Sequence, residues 1–267
     1  MSVPKENPAP LKTCINCGNP VTDLYCSHCS QKKNIRRLSF GALIEGVFGA
    51  VFSFDGKFPH TFIGLFKHPG KVIKTYLQGN RVKYSNPVSY FFMIFASVYI
   101  LAALFQVELK DMSPDQNSIL ELFNVDPNTQ SEQQKQFQTN TNNIIFNNLH
   151  YFNFLTFLFI ALVAKFMYRK TKLNYIEHVV VCLYANVQPL LIWYLTIPIF
   201  KFTGFKLDLY TSLINYVYFI WCTLQVYPTT SIFKGIIKGL LTMFLGVILF
   251  MVFFSIITIV VVLIIMM

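Results

Sequence analysis

Five apolar stretches dominate the chain after its first third. They run over about 87–107, 150–167, 178–200, 209–227 and 239–267. Each is close to the ~20 residues that cross the hydrocarbon core of a bilayer. The pattern predicts an all-α integral membrane protein with about five transmembrane helices. Asn86 suits the N-cap of the first helix and Pro87 its first position, where a missing N–H costs nothing. Upstream the pattern changes. SFGALIEGVFGAVFSF, ending at Phe54, is apolar but too short to span, and Gly41, Glu45, Gly49 and Ser53 recur every four residues as one small and polar stripe. A helix over 40–54 would lie in the interface or dock on another helix. HPGKVIKTYLQGNR follows. Val72, Ile73, Tyr76 and Leu77 form one apolar face, Lys71 and Lys74 point elsewhere, and Gly79 is a helix stop. This second helix reads as lying on anionic lipid, with Lys67, Lys71, Lys74, Arg81 and Lys83 meeting headgroups. The chain therefore divides into a polar, Pro-rich, disordered lead-in (1–12), a cysteine segment (13–35), interfacial amphipathic helices (36–86) and a membrane domain (87–267). No internal repeat supports an inverted-repeat transporter.

Composition agrees. The 267 residues are 54% hydrophobic and only 13% charged, where a soluble domain carries about 25% charged residues. The formal charge is +10, and twelve of the Lys and Arg residues precede the first span, against Glu6, Asp23, Glu45 and Asp55. Basic residues beside a span mark the cytosolic side and attract anionic headgroups. The loop from Glu108 to Asn148 holds six acids with only Lys110 and Lys135, whereas Arg169, Lys170 and Lys172 follow the second span. This places the N-terminus in the cytosol and, after five spans, the C-terminus outside. MSVPKENPAPLK contains no apolar core, which predicts no cleavable signal peptide. No basic stripe interleaves with aromatics in a known module, so nucleic acid is not an expected partner.

Cys14, Cys17, Cys26 and Cys29 form a C-x2-C-x8-C-x2-C pattern. Each pair can turn two thiolates toward one point, and two such knuckles make the tetrahedral site that structural Zn2+ takes. The segment is too short to bury a core, so the metal would supply its folding energy. Gly18 and Ser30 hold matching places after the two knuckles. Two disulfides are the alternative, disfavoured in a reducing cytosol. A redox Cys-x-x-Cys site lacks its fold context. A closed four-thiolate site leaves no open position for catalysis. His28 reads as a bystander, and Cys182 and Cys222 as packing residues inside spans.

CINCG…YCSHCSQK followed by HPGKVIKTYLQGNRVKYSNPVSYF resembles a bacterial family of zinc-ribbon, multi-pass membrane proteins catalogued as a domain of unknown function. The more specific string is Pro69-Gly70, Tyr76, Leu77, Gly79, Arg81, Tyr84 and Pro87. Ser30 stands where that family usually has Gly, and Asn80 where Lys is common. The resemblance covers roughly the first hundred residues. It implies a bacterial inner-membrane protein and supplies no activity.

Catalytic signatures are missing: no His-Glu-x-x-His, no phosphate-binding Gly-Lys loop, no Gly-x-Ser-x-Gly. No carboxylate sits in the middle of a span. Asn186, Gln188 and Pro189, with Thr211, Ser212 and Asn215, are the polar or helix-breaking positions there. They can line a polar path or tie helices together by hydrogen bonds, and the second use is the commoner. Glu177 and His178 read as interfacial groups at a span entrance. Three functions follow. The favoured one is a non-enzymatic adaptor or regulatory protein whose ribbon docks a cytosolic or membrane partner. The second is a transporter or channel using Asn186, Gln188 and Asn215. The third is a membrane enzyme acting on lipid headgroups through His60, His68, Arg81 and Glu45.

Overall fold

A computed structural model describes residues 13–44, 57–112 and 131–266. The expectations for the lead-in, for Glu45, Gly49 and Ser53, and for residues 113–130 of the acidic loop lie outside these residues. Among the described residues the chain is helical, without a strand; two isolated bridges, Thr13 with Pro20 and Tyr25 with Lys32, lie in the cysteine segment. Residues 40–44 are helical, and two short helices follow, α1 (Lys57–Lys67) and α2 (Pro69–Leu77). They are followed by α3 (Pro87–Leu104), α4 (Glu132–Asn147), α5 (Leu149–Met167), α6 (Tyr175–Val187), α7 (Trp193–Thr203), α8 (Asp208–Val226) and α9 (Ile232–Met266).

Local chemistry sets the helix ends. The Asn86 side chain accepts from the Val88 N–H at 2.9 Å, and Pro87 opens α3. α6 starts at Tyr175, upstream of the expected His178, because Asn174 and Glu177 form a capping box. The Asn174 side chain accepts from the Glu177 N–H at 2.8 Å, and the Glu177 carboxylate accepts from the Asn174 N–H at 2.7 Å. Two orphan donors are satisfied at once. Pro189 has no N–H to give, and the chain tightens into a 3-10 turn over Gln188–Ile192 before α7 resumes the helix. α9 begins at Ile232, not near Gly239, so Lys234 and Lys238 belong to its first turns.

Four segments are long and apolar enough to cross a membrane: Pro87–Leu104, Leu149–Met167, Tyr175–Thr203 and Ile232–Ile259. These helices indicate a membrane protein. α8 has the length, 19 residues, but Thr211, Ser212, Asn215 and Gln225 reduce its apolarity below that of the other four. The faces of α9 that the protein leaves exposed are apolar, with Phe244, Ile248, Met251 and Ile256 among them. Such a surface is not tolerated in water.

Contacts between helix ends give their directions. Tyr227, just past α8, stacks on Tyr168 at the end of α5, and its hydroxyl lies 2.8 Å from His178 Nδ1 near the start of α6. Lys238 of α9 reaches the Tyr168 ring. At the other end, Tyr99 of α3 meets His150 at the start of α5, and Phe105 meets Phe202 near the end of α7. So α3, the α6–α7 pair and α9 run one way, and α5 and α8 the other. α6 is the centre: every residue from Glu177 to Val187 is buried. Cys182 and Cys222 are fully buried among apolar neighbours. α2 spends its apolar face on protein. Val72, Ile73, Tyr76 and Leu77 are 0–3% exposed and pack in the same core, while Lys71 stays exposed.

Candidate functional site

The cysteine segment is two copies of one turn. In the first, the Cys14 N–H donates to Asn19 O at 2.7 Å and the Gly18 N–H to Cys14 O at 2.9 Å. In the second, the Cys26 N–H donates to Gln31 O at 2.9 Å and the Ser30 N–H to Cys26 O at 2.8 Å. Each turn closes through a left-handed residue, Gly18 at φ +75 and Ser30 at φ +58. The four Sγ atoms all lie within 4.8 Å of one another. The Cys14–Cys29 and Cys17–Cys26 sulfurs are 3.4 and 3.5 Å apart. Four sulfurs about 2.3 Å from one ion sit about 3.8 Å from each other, so the set can hold a metal ion and its all-thiolate chemistry is consistent with zinc. Burial pushes the Cys14 thiol up to about 11. For Cys29, desolvation is outweighed by hydrogen bonds from the Asn16 side chain and the Gln31 backbone and by the neighbouring thiols, which lower it to about 7. Cys29 is therefore the first of these two sulfurs to ionise. His28 is exposed.

The cysteine segment, the head of the chain, is seated on the turn after α2. Gln31 donates from Nε2 to Gly79 O at 3.1 Å, and Asn80 donates from Nδ2 to Asn16 Oδ1 at 3.1 Å. Gly79 takes φ +105, and a Cβ there would come within 2.1 Å of Ile35. Both the backbone conformation and the close approach require glycine. Arg81 donates from Nη2 to Arg36 O at 2.9 Å. The next residues reach further into the bundle. Arg37 donates to both carboxylate oxygens of Glu177 at 3.1 and 2.9 Å and also to Lys172 O. Asn174 donates to Leu38 O at 2.9 Å, and Asn86 to Leu43 O at 2.8 Å. One carboxylate thus caps α6 and anchors the linker. At the start of α2, Gly70 lies against Gln225 of α8 and its N–H donates to Gln225 Oε1 at 3.1 Å.

The helix pair, this turn and the start of α3 form one continuous stretch of the chain. A family model described as "Protein of unknown function (DUF3667)" matches residues 55–98. The matched stretch holds Gly70, Gly79 and Arg81 but none of the four cysteines. No curated protein and no solved structure gives a significant match.

The intramembrane polar residues separate into two groups. Asn186 donates back to Cys182 O at 2.8 Å, and Gln188 accepts from the Tyr90 hydroxyl and donates to Phe62 O at 3.4 Å. The Gln188 bonds tie the turn after α6 to α3 and α1, whereas the Asn186 bond stays within α6 and its Oδ1 is buried without a partner. Asn215 instead lines a cavity of about 250 Å3, with Pro189, Thr211, Ser212 and Asn153 around it. Its Oδ1 is buried without a hydrogen-bond partner. Asn153 was not singled out in the sequence, although it is a lone amide in an apolar run, the same signal that marked Asn215. Glu177 and His178, in the first turn of α6, are both fully buried within the protein and face different partners, Arg37 and Tyr227.

The basic positions also separate. Lys67 and Lys71 are exposed and Lys74 half-buried. Lys83 is exposed, with its Nζ 5.8 Å from the Tyr84 ring centre. Arg81 is turned into the head. His60 and His68 are exposed.

Proposed function

We propose that the protein is a non-enzymatic membrane adaptor or regulator whose cytosolic, zinc-folded ribbon is held in fixed register with a five-span bundle and presents its outer tip to a partner protein. The observation that carries this reading is the seat itself: four sulfurs gathered within 4.8 Å, with the segment that holds them bonded to the Gly79–Arg81 turn and, through Arg37, to Glu177. A head that only needed to fold would not need an anchor in α6. The ribbon exposes Leu24, at 73%, a side chain that favours contact with another protein. α8 runs the full depth of the bundle between two candidate spans, and its 19 residues measure about 28 Å, close to the hydrocarbon thickness; this supports counting it as the fifth span. Arg169, Lys170, Lys234 and Lys238 then fall on the ribbon's side with α1 and α2, which supports a cytosolic head, a bacterial inner-membrane setting and an extracytoplasmic C-terminus.

The test is affinity purification from native membranes at matched abundance, comparing wild type with Cys14→Ser/Cys26→Ser and with Leu24→Ser. A partner held by wild type and lost from both variants is the expected result; three identical partner sets would overturn the reading. A second reading is favoured by one observation, the 250 Å3 cavity with the unpartnered Asn215 Oδ1. As a small-solute site it predicts that Asn215→Leu abolishes flux at unchanged expression.

A further inference from the structure

Between the ribbon, its linker and the turn after α2 lies a second pocket, of about 980 Å3. Its charged lining is Lys32, Arg36, Arg37, Lys57 and Arg81, with Asn34 and Ser39 beside them, and among the described residues no carboxylate lines it. Arg37 already has its counter-ion in Glu177. Arg81 feels that carboxylate only at longer range: among the described residues no carboxylate is in contact with it, its Nη2 goes to a backbone carbonyl, and its Nε is buried without a partner. A guanidinium in that state is costly unless an anion completes it. Thiolate charge in the ribbon does not answer this, because Arg81 belongs to the helix-pair side of the pocket and spends its visible bond on Arg36 O. Like charges gathered round one concave space, with arginines among them, match the fork geometry of phosphate recognition. The volume exceeds a lone phosphate and falls in the range of small-molecule sites.

We propose that this pocket binds a phosphate group on an anionic ligand, gripped from the ribbon side by Lys32 and Arg36 and from the helix-pair side by Arg81. The ligand bridges the two sides, so it strengthens the seating of the head. An anionic phospholipid headgroup and a free phosphorylated metabolite share this chemistry. The site is distinct from the exposed Lys67 and Lys71, and it does not depend on any partner protein at the ribbon tip.

The experiment uses the full chain with its metal, in a neutral detergent, and reads ligand binding by native mass spectrometry. The probes are dioctanoyl phosphatidylglycerol, dioctanoyl phosphatidylcholine and glycerol 3-phosphate. Wild type should bind the anionic lipid, glycerol 3-phosphate or both, and the zwitterionic lipid at least about tenfold more weakly. Lys32→Gln/Arg36→Gln leaves the Arg36 carbonyl in place for Arg81, and should weaken binding by about tenfold or more, as expected for lost charged hydrogen bonds. Lys67→Gln/Lys71→Gln removes the same charge outside the pocket and should change it less than about twofold. Lys32→Arg/Arg36→Lys should restore binding. Binding of the lipid alone identifies a headgroup site; competition by glycerol 3-phosphate identifies a site for free phosphates. Equal losses in the two neutralised variants, no discrimination against the zwitterionic lipid, or no binding of either anionic probe would overturn the proposal.

Discussion

Two single residues test the ribbon and its seat. Ser30 holds the left-handed place that Gly18 holds in the first knuckle. A non-glycine residue there costs about 1 kcal/mol, partly offset by the freer unfolded chain of a glycine variant. Ser30→Gly should therefore retain metal slightly longer under chelator challenge, by a factor of a few at most. Gly79→Ala should do the opposite. It combines the φ strain with a contact at 2.1 Å to Ile35, and overpacking of this kind costs about 1–3 kcal/mol before strain is added. Trypsin should then cut at Lys32, Lys33, Arg36 and Arg37 faster than in wild type. The thiols give a third outcome. In the metal-free chain, Cys29, lowered to about 7, should alkylate before Cys14, raised to about 11, at neutral pH, since the thiolate is the reactive form. Peptide mapping of the labelled chain reads both.

At the scale of elements, the bond between linker and bundle is the most exposed to test. Arg37→Ala strands Glu177, which is 0% exposed. Losing one partner of a buried pair costs about 3–5 kcal/mol, and the 29% exposure of Arg37 puts this case at the low end. Thermal unfolding in detergent should show the loss. Arg37→Ala/Glu177→Gln should recover most of it, because glutamine keeps the capping reach without the charge. This element was only half legible in the sequence. The helix signals could be read directly: Asn86-Pro87 at a start, Gly79 at a stop, the apolar face of α2. Those depend on neighbours a few residues away. The role of Glu177 depends on Arg37, 140 positions distant, and no local pattern carries such a pairing. The same limit explains α2. Its amphipathic face announced a surface to be covered, but periodicity cannot say whether lipid or α6 and α8 covers it.

For the whole molecule, the proposed reading of α3, α5, α6–α7, α8 and α9 as five crossings gives an odd number and predicts that the two ends of the chain lie on opposite faces. A reporter fused after Met267 and one fused before Met1 should therefore report opposite compartments; the same compartment for both would remove α8 from the spans. The cysteine quartet could be read from spacing alone, because C-x2-C geometry is local. The pocket beneath it could not, because its cations come from residues 32 to 81 and meet only in three dimensions. The 140-residue separation of Arg37 and Glu177 also has a consequence in time. A ribosome adding 5–20 residues per second needs roughly 7–28 seconds to travel that distance. The ribbon, closed by contacts within sixteen positions, from Cys14 to Cys29, is complete before its anchor has been synthesised. The head is thus a finished part that waits on the nascent chain, and its anchor to Glu177 closes only after the start of α6 has been made.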